Sequence, residues 1–391
     1  MIPYGRQDIN QQDIDAVVEV LRSDFLTQGP QVPAFEQAIM DACDAKYAVA
    51  VNSATSALHI ACLALELGSD DWLWTTPNTF VASANCALYC GAKVDFVDID
   101  PRTYNLCAKQ LEEKLIAAQK VGKLPKIVIP VHFSGQSCDM QAIHELAKKY
   151  GFHIIEDASH AIGGKYKGEP IGNGRYSDIT IFSFHPVKIV TSAEGGAAVT
   201  NRADLAEKML LLRSHGITRD EELMTKAADG PWYYQQIALG FNYRMTELQA
   251  ALGLSQMQRL QEFVIKRHKL ASRYDELLQE LPITLPWQHP DSESARHLYV
   301  IRLQLEQINI THLDVFNALH AAGVLVNLHY IPVHMQPYYQ KMGFESGQFP
   351  EAEQYYKEAI SIPLFSAMTE GQQDSVCSTL KTILSKESWI S

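Results

Sequence analysis

From about residue 45 to residue 200, short apolar runs alternate with longer stretches that are apolar on one side only. Tyr47–Val51 predicts a strand, followed by a helix from about Thr55. Trp72–Thr76 leads into a helical stretch over Thr79–Cys90, and Val94–Ile99 into one over Ala108–Ala118. The same alternation continues through Lys126–Val131, a helix over Asp139–Tyr150, and strands at His153–Asp157, Ile179–Phe184 and Gly196–Thr200. Strands taking turns with helices predict a mainly parallel sheet, here of seven strands, layered between helices. Ligands of such sheets sit at the carboxyl ends of the strands, where Asn52, Thr76, Asp157 and Ser183 fall.

Beyond Arg244 the texture changes. A long helical pattern spans Thr246–Leu278, Pro282–Pro290 reads as a linker, and strand-like Leu298–Leu303 and Val324–Leu328 flank a helix over Thr311–Ala322. Further helices are expected near Glu351 and Gly371. We therefore expect an α/β chain in three parts: an amino-terminal segment, 1–12, packing beside a smaller carboxyl-terminal α/β domain, 246–391, with a large domain, 13–245, between them.

At 391 residues and 47% hydrophobic content, the chain is long enough for two buried cores. No apolar run reaches the ~18–20 residues needed to cross a bilayer, and the first residues lack the basic and then apolar blocks of a secretion signal, so a cytoplasmic protein is expected. Seven cysteines without a CxxC pair argue against a disulfide framework and against a structural metal site. A net charge of −12 with no long basic run argues against nucleic acid as a partner. No GxGxxG follows the first strand, which disfavours a dinucleotide site.

The most informative chemistry is Lys188, in a polar stretch after the strand that ends at Ser183, with Asp157 ending another apolar strand upstream. A lysine and a carboxylate at two converging strand ends fit pyridoxal 5'-phosphate. The amine forms the Schiff base, and the carboxylate keeps the pyridine nitrogen protonated so that the ring withdraws electrons from a carbanion. Asn52–Leu58 puts hydroxyl residues, Thr55 and Ser56 among them, where a strand hands over to a helix; this suits a phosphate cradle and equally a plain helix cap. Phe80 follows the next strand, where its ring can stack on a pyridine or fill the core. His160 lies three residues after Asp157, Ser183 and His185 lie just before Lys188, and Gly195–Gly196 allow close backbone approach.

Read together, Asn52–Leu58, Thr76–Phe80, Glu156–Ala161, Ser183–Lys188, Glu194–Gly196 and Gly240–Arg244 resemble the ordered motifs of the DegT/DnrJ/EryC1/StrS sugar aminotransferases. Ser23–Pro30, His185–Lys188, Pro231–Tyr234 and Leu239–Arg244 resemble a narrower branch. Its members aminate the 4-keto group of UDP-linked 6-deoxy-N-acetylhexosamines on the way to pseudaminic acid.

The resemblance implies the type I aminotransferase fold and a cytoplasmic homodimer with shared sites. Lys188 and Asp157 would be the catalytic pair; Thr55, Ser56 and Ser183 would bind the phosphate, Phe80 and His160 would meet the ring, and Asn242 would reach the neighbouring subunit's phosphate site. It further implies L-glutamate as amino donor, pyridoxamine 5'-phosphate as the alternate cofactor form, and His329 and Tyr330 near the sugar; His185, just before Lys188, is a substrate-binding candidate by its place, close enough to reach a phosphate or the reacting centre. Arg6 and Arg244 are both candidates for the donor's carboxylate. A dTDP- or GDP-linked keto sugar, aminated at C3 or C4, is the alternative substrate; two further alternatives are a sugar dehydratase of this fold, which would carry His where Lys188 stands, and a non-catalytic pyridoxal phosphate-binding regulator, which would carry an added basic DNA-binding helical domain. Two positions depart from the family's usual glycines: Ala54, and Ala193 within Thr191–Gly196. An added methyl at either is expected to crowd the phosphate or the lysine loop.

Overall fold

The computed structural model describes residues 1–385. The chain opens with β1 (Ile2–Pro3), α1 (Gln11–Arg22) and α2 (Gln31–Cys43). The expected alternation follows: β2 (Tyr47–Val51), α3 (Ala54–Ala64), β3 (Trp72–Thr75), α4 (Ala82–Tyr89), β4 (Lys93–Phe96), α5 (Ala108–Lys120), β5 (Ile127–Ile129), α6 (Met140–Tyr150) and β6 (His153–Asp157). After the short β7 (Lys165–Tyr166) and β8 (Glu169–Pro170) come β9 (Ile179–Ser183), β10 (Gly196–Thr200) and α7 (Ala203–Arg213). Seven of these strands form one sheet in the order β2-β10-β9-β6-β5-β3-β4. β10 runs antiparallel to both of its neighbours, and the remaining pairings are parallel. The strands are nearly all buried, as a sheet covered on both faces by helices requires.

The carboxyl-terminal part continues with β11 (Ile217–Thr218), β12 (Gln235–Gln236), α8 (Glu247–Met257), α9 (Leu260–Leu278), β13 (Ile283–Thr284), β14 (Ser292–Glu293) and β15 (Tyr299–Leu303). It ends with α10 (His312–Ala321), β16 (Val324–Leu325), α11 (Pro337–Gln340), α12 (Pro350–Glu358), β17 (Ala359–Ile362) and α13 (Glu370–Ile383). Strands β13, β15 and β17 make a second, antiparallel sheet with its own core, which includes Tyr274, Tyr299, Ile301, Leu319 and Leu380. β1 pairs with β16 in parallel in a separate two-stranded sheet, Ile2 opposite Val324, and both residues pack on the core of the β13-β15-β17 sheet.

The long helix expected over Thr246–Leu278 is two helices broken at Gln258–Arg259. There the backbone closes i→i+3 bonds, Gln258 N–H to Ser255 and Arg259 N–H to Gln256. Neither glycine nor proline marks the break. It follows from long-range anchoring: buried Asp13 accepts from Ser255 Oγ at 2.6 Å and Gln256 Nε2 at 2.7 Å, and Arg259 donates to Asp8 at 3.1 Å. The segment read as a linker contains β13, and the strand expected over Val324–Leu328 spans only β16.

Candidate active site

Strand register builds the floor of the site. Gly196 of β10 lies opposite Val51 of β2 on one side and Ser183 of β9 on the other, while Asp157 of β6 lies opposite Ile181 of β9. One row across the sheet therefore brings together the chain just before α3, the end of β9 and, beside it, the end of β6. Ser53 caps α3, its Oγ accepting from the Ser56 N–H at 3.1 Å, and leaves the other amino-terminal N–H groups of that helix facing the row. Gly196 makes this docking possible: a Cβ there would lie 2.4 Å from the Ala54 nitrogen.

Lys188 sits on the excursion between β9 and β10. That loop is pinned at its base by Phe184, whose N–H donates to Gly195 and whose carbonyl accepts from the Ser192 N–H and Thr191 Oγ1. Ala193, in the same loop, adopts a left-handed backbone with φ +65°, a conformation costly for any residue with a Cβ.

Adjacent residues on a strand face opposite ways, and Glu156 and Asp157 take different work accordingly. Asp157 faces the cavity, with one carboxylate oxygen accepting from Ser83 Oγ at 2.6 Å and the other from the Ser159 N–H at 3.1 Å. Ser83 in turn lies 2.9 Å from Thr79 Oγ1. Glu156 is spent on structure. Burial opposes its ionisation, but His132 at 2.6 Å, Ser177 and Thr180 hold its carboxyl below the ordinary range.

These elements enclose a cavity of about 550 Å³. Among the residues expected at the site, Thr55, Phe80, Asp157, His160, Ser183, His185, Lys188, His329 and Tyr330 line it. Ser56, Arg6, Asn242 and Arg244 do not: Ser56 turns its hydroxyl to Asn52 Oδ1 at 2.7 Å, and Arg6 and Asn242 are exposed. Lys188 is the sole lysine or arginine of the described lining. Burial pulls its ammonium down to about 8, with the Asp157 charge partly opposing this.

The opposite wall is aromatic and neutral. Buried His160, His297 and His329 are all pushed well below the ordinary imidazole range, chiefly by burial and further by the Lys188 charge, His329 to about 3. Their hydrogen bonds fix the arrangement. His160 Nδ1 accepts from the Ser134 N–H at 3.2 Å, so in the neutral ring the proton sits on Nε2, which donates to Tyr330 Oη at 3.1 Å. The Tyr330 proton is thereby left for the cavity, and burial, with Asp157 nearby, holds that hydroxyl protonated. His329 pairs through Nδ1 with Ser361 Oγ at 2.8 Å.

The donor set fits pyridoxal phosphate. It offers a partly desolvated amine, a carboxylate held by two hydrogen bonds, hydroxyls beside a helix amino terminus and an exposed aromatic ring, Phe80, at the rim. Sequence reasoning missed Ser83, His297 and Tyr4. Ser83 is one hydroxyl in an alanine-rich helix, and His297 is a lone histidine before a strand. Tyr4 reaches the cavity through β1 pairing, and its ring lies 5.2 Å from that of His329. No local signal marks any of the three.

Comparison with known proteins bears on the same residues. The sequence profile described as the DegT/DnrJ/EryC1/StrS aminotransferase family matches residues 7–381. The chain is 39% identical over 388 residues to the UDP-4-amino-4,6-dideoxy-N-acetyl-beta-L-altrosamine transaminase of Campylobacter jejuni, covering 99% of this chain and 98% of that one. Its fold superposes with a TM-score of 0.89 on Helicobacter pylori PseC, an aminotransferase involved in the biosynthesis of pseudoaminic acid, at 31% identity and covering 98% and 99% of the two chains. It superposes equally, at 0.89 and 28% identity and covering 99% and 100%, on the putative sugar aminotransferase Spr1654 from Streptococcus pneumoniae in its PMP form. The PLP form of that protein gives 0.88.

Proposed function

Taking as premise that the chain belongs to the DegT/DnrJ/EryC1/StrS aminotransferase family and is a pyridoxal phosphate-dependent sugar aminotransferase, we propose that it moves the amino group of L-glutamate to the C4 keto group of a UDP-linked 4-keto-6-deoxy-N-acetylhexosamine in pseudaminic acid biosynthesis. The observation that carries this reading is the meeting of Lys188 and Asp157 in one cavity, on the loop after β9 and at the end of the neighbouring β6. The likeness to a transaminase named for a UDP-linked 4-amino sugar supports the choice of carbon and nucleotide.

When bound, the cofactor supplies an electron sink and stores nitrogen between two half-reactions, alternating between pyridoxal and pyridoxamine forms. The chain's residues divide the remaining work. Asp157, held by Ser83 and Ser159, would pair with the pyridine nitrogen. Thr55, Ser183 and the α3 amino terminus bind the phosphate, where aligned N–H dipoles favour an anion. Phe80 and His160 orient the ring. Lys188 Nζ takes the proton from the donor's Cα and in the second half-reaction delivers one to the sugar's C4, an amine poised near 8 being suited to both directions. Tyr330 donates to an oxygen in the cavity, and His329 and His185 border the sugar.

We read the working unit as a homodimer. Trp232 and Leu239 are 72% and 79% exposed on the segment leading to Asn242, an apolar stretch that a second copy would cover while Asn242 and Arg244 complete the neighbour's site. This supplies a guanidinium, which the cavity's own described lining lacks, and a further side-chain amide.

The test is the absorbance of the purified protein with pyridoxal phosphate, before and after L-glutamate, beside Lys188→Ala. A visible band that glutamate bleaches, absent in the variant together with at least ~10³-fold of the activity, is the expected result. Incubation with a panel of 4-keto sugar nucleotides then reports the carbon, and amination at C3 would overturn the narrower assignment.

A further inference from the structure

The buried histidines of the cavity wall differ in how their rings are used. His160 has both nitrogens occupied, Nδ1 by the Ser134 N–H and Nε2 by Tyr330 Oη, and His329 has its Nδ1 on Ser361 Oγ. His297 also lines the cavity and is 3% exposed, yet among the described residues no group hydrogen-bonds to its ring, and Nδ1 is buried without a partner. A buried polar atom left unpaired destabilises the fold unless something bound supplies the partner.

The ring is nonetheless held in place. The His297 N–H donates to the Ser134 carbonyl at 2.9 Å, the His297 carbonyl accepts from Arg267 Nη1 at 3.1 Å, and the ring centroid lies 4.4 Å from that of His160. The turn at Ser134–Gly135 also donates to His160 Nδ1 and approaches both segments so closely that a Cβ on Gly135 would lie 2.9 Å from the Arg296 nitrogen and from the His160 carbonyl oxygen. One turn thus sets the two rings side by side, the first with its hydrogen bonds made inside the protein and the second with none.

The chemistry of the wall narrows what the second ring meets. Burial, then the neighbouring His160 and the Lys188 and Arg267 charges, keep the His297 imidazole neutral. A neutral ring brings no charge to the carboxylate of an amino donor, and the cofactor's nitrogen and phosphate face Asp157 and the start of α3. A sugar hydroxyl or amide both donates and accepts, as a neutral imidazole does.

We propose that His297 is a specificity-determining residue whose ring hydrogen-bonds a hydroxyl or amide substituent of the keto sugar, a role that rests on the chain's being a sugar aminotransferase. The Tyr330 hydroxyl, held by His160, supplies a second neutral contact on the same wall. The amino donor makes no use of His297, so the two half-reactions depend on it unequally.

The experiment compares wild type with His297→Leu, close in size and unable to hydrogen-bond, and with His297→Gln, which restores an N–H and a carbonyl. Three quantities are measured: the affinity and absorbance of bound pyridoxal phosphate, the rate at which L-glutamate bleaches the visible band, and kcat/KM for a UDP-linked 4-keto-6-deoxy-N-acetylhexosamine beside analogues lacking the C3 hydroxyl or the acetamido group. Wild type should lose roughly 10–100-fold in kcat/KM with one of the analogues; His297→Leu should lose as much with the full sugar, no longer distinguish it from that analogue, and keep cofactor affinity and bleaching within about threefold. His297→Gln should recover part of the discrimination. Thermal unfolding of His297→Leu should hold or rise, since carbon replaces an unpartnered nitrogen. If His297→Leu does not fold, His297→Phe makes the same comparison.

Equal losses in bleaching and in sugar turnover, weaker cofactor binding with a displaced band, or the same discrimination between sugars in wild type and His297→Leu would each overturn the proposal. Loading with pyridoxamine phosphate starts the sugar half-reaction without a donor, so a wrong choice of donor leaves the comparison of sugars standing. Wild type that binds the cofactor yet aminates no sugar nucleotide would overturn the sugar reading itself, and the role of His297 with it.

Discussion

Along the floor of the cavity, Asp157, Ser183 and Lys188 hang from or just beyond strand ends, and backbone ladder bonds set their spacing. Along the facing wall, His160, His297 and the His329–Tyr330 pair come from three stretches of chain and meet through side chains, with ring centroids 4.4 Å apart for His160 and His297. The floor carries the two ionisable groups that chemistry requires. The wall has been stripped of charge by burial. A scaffold of ladder bonds tolerates side-chain change without losing its geometry, so floor substitutions should cost reaction rate while leaving the fold intact. A wall built from mutual contacts should couple rate to local stability.

The largest effect that separates the two regions is expected at Asp157. Replacing it with Asn removes the carboxylate proposed to pair with the pyridine nitrogen and should lower kcat by ~10²–10³-fold, whereas thermal unfolding should move little. Ser83→Ala is the graded companion. It removes one charge-assisted hydrogen bond, worth about 1.5–3 kcal/mol, and should cost roughly 10-fold or more in kcat through Asp157 alone. If Ser83→Ala lowers stability sharply while kcat holds, Ser83 serves helix packing and not the carboxylate.

A smaller effect is expected at the wall. Tyr330→Phe leaves the His160 Nε2 proton without its acceptor as well as removing a donor from the cavity, so we expect about 10-fold in kcat together with ~1–2 kcal/mol of stability. A loss of rate with no loss of stability would erase the distinction between the regions.

The pH dependence sharpens it further. Only neutral Lys188 can combine with the cofactor's carbonyl, and its conjugate acid sits near 8. Uptake of pyridoxal phosphate by cofactor-free protein, followed by stopped-flow absorbance, should rise about tenfold per pH unit up to about 8 and then level off. His160, His297 and His329, all depressed, add no inflection near 6. A second inflection there would show that the wall carries charge after all.

The smallest change concerns Ala193. Its φ of +65° costs about 1–2 kcal/mol relative to a residue without a Cβ, and the unfolded-chain entropy of glycine returns part of this. Ala193→Gly should therefore stabilise the protein by ~0.5–1 kcal/mol in urea unfolding, and a net loss would show that the loop around Lys188 is not under strain.

The floor was legible in the sequence for the same reason that it is robust. Strand ends can be found from apolar runs, and the residues just beyond them are few, so Asp157, Ser183, Thr55 and Lys188 stood out. The wall was legible at His160, by its place three residues after Asp157, and at His329 and Tyr330, by family resemblance. His297, Tyr4 and Ser83 owe their places to contacts over long sequence separations, which leave no periodic trace. The break between α8 and α9 escaped for a related reason: its cause, the buried Asp13, lies more than two hundred residues upstream.

The pairing of β1 with β16 also sets an order of events in the cell. The ribosome releases the chain in the amino-to-carboxyl direction, so Tyr4 emerges long before its neighbours in the finished molecule. Ile2 awaits Val324, and the Tyr4 carbonyl awaits the N–H of Leu364. The seven-stranded sheet has all its strands by residue 200 and can begin to assemble during translation. The wall of the cavity, by contrast, closes only after β16 and the residues that follow it have been made, so a nascent chain holds Lys188 well before it has an enclosed pocket around it.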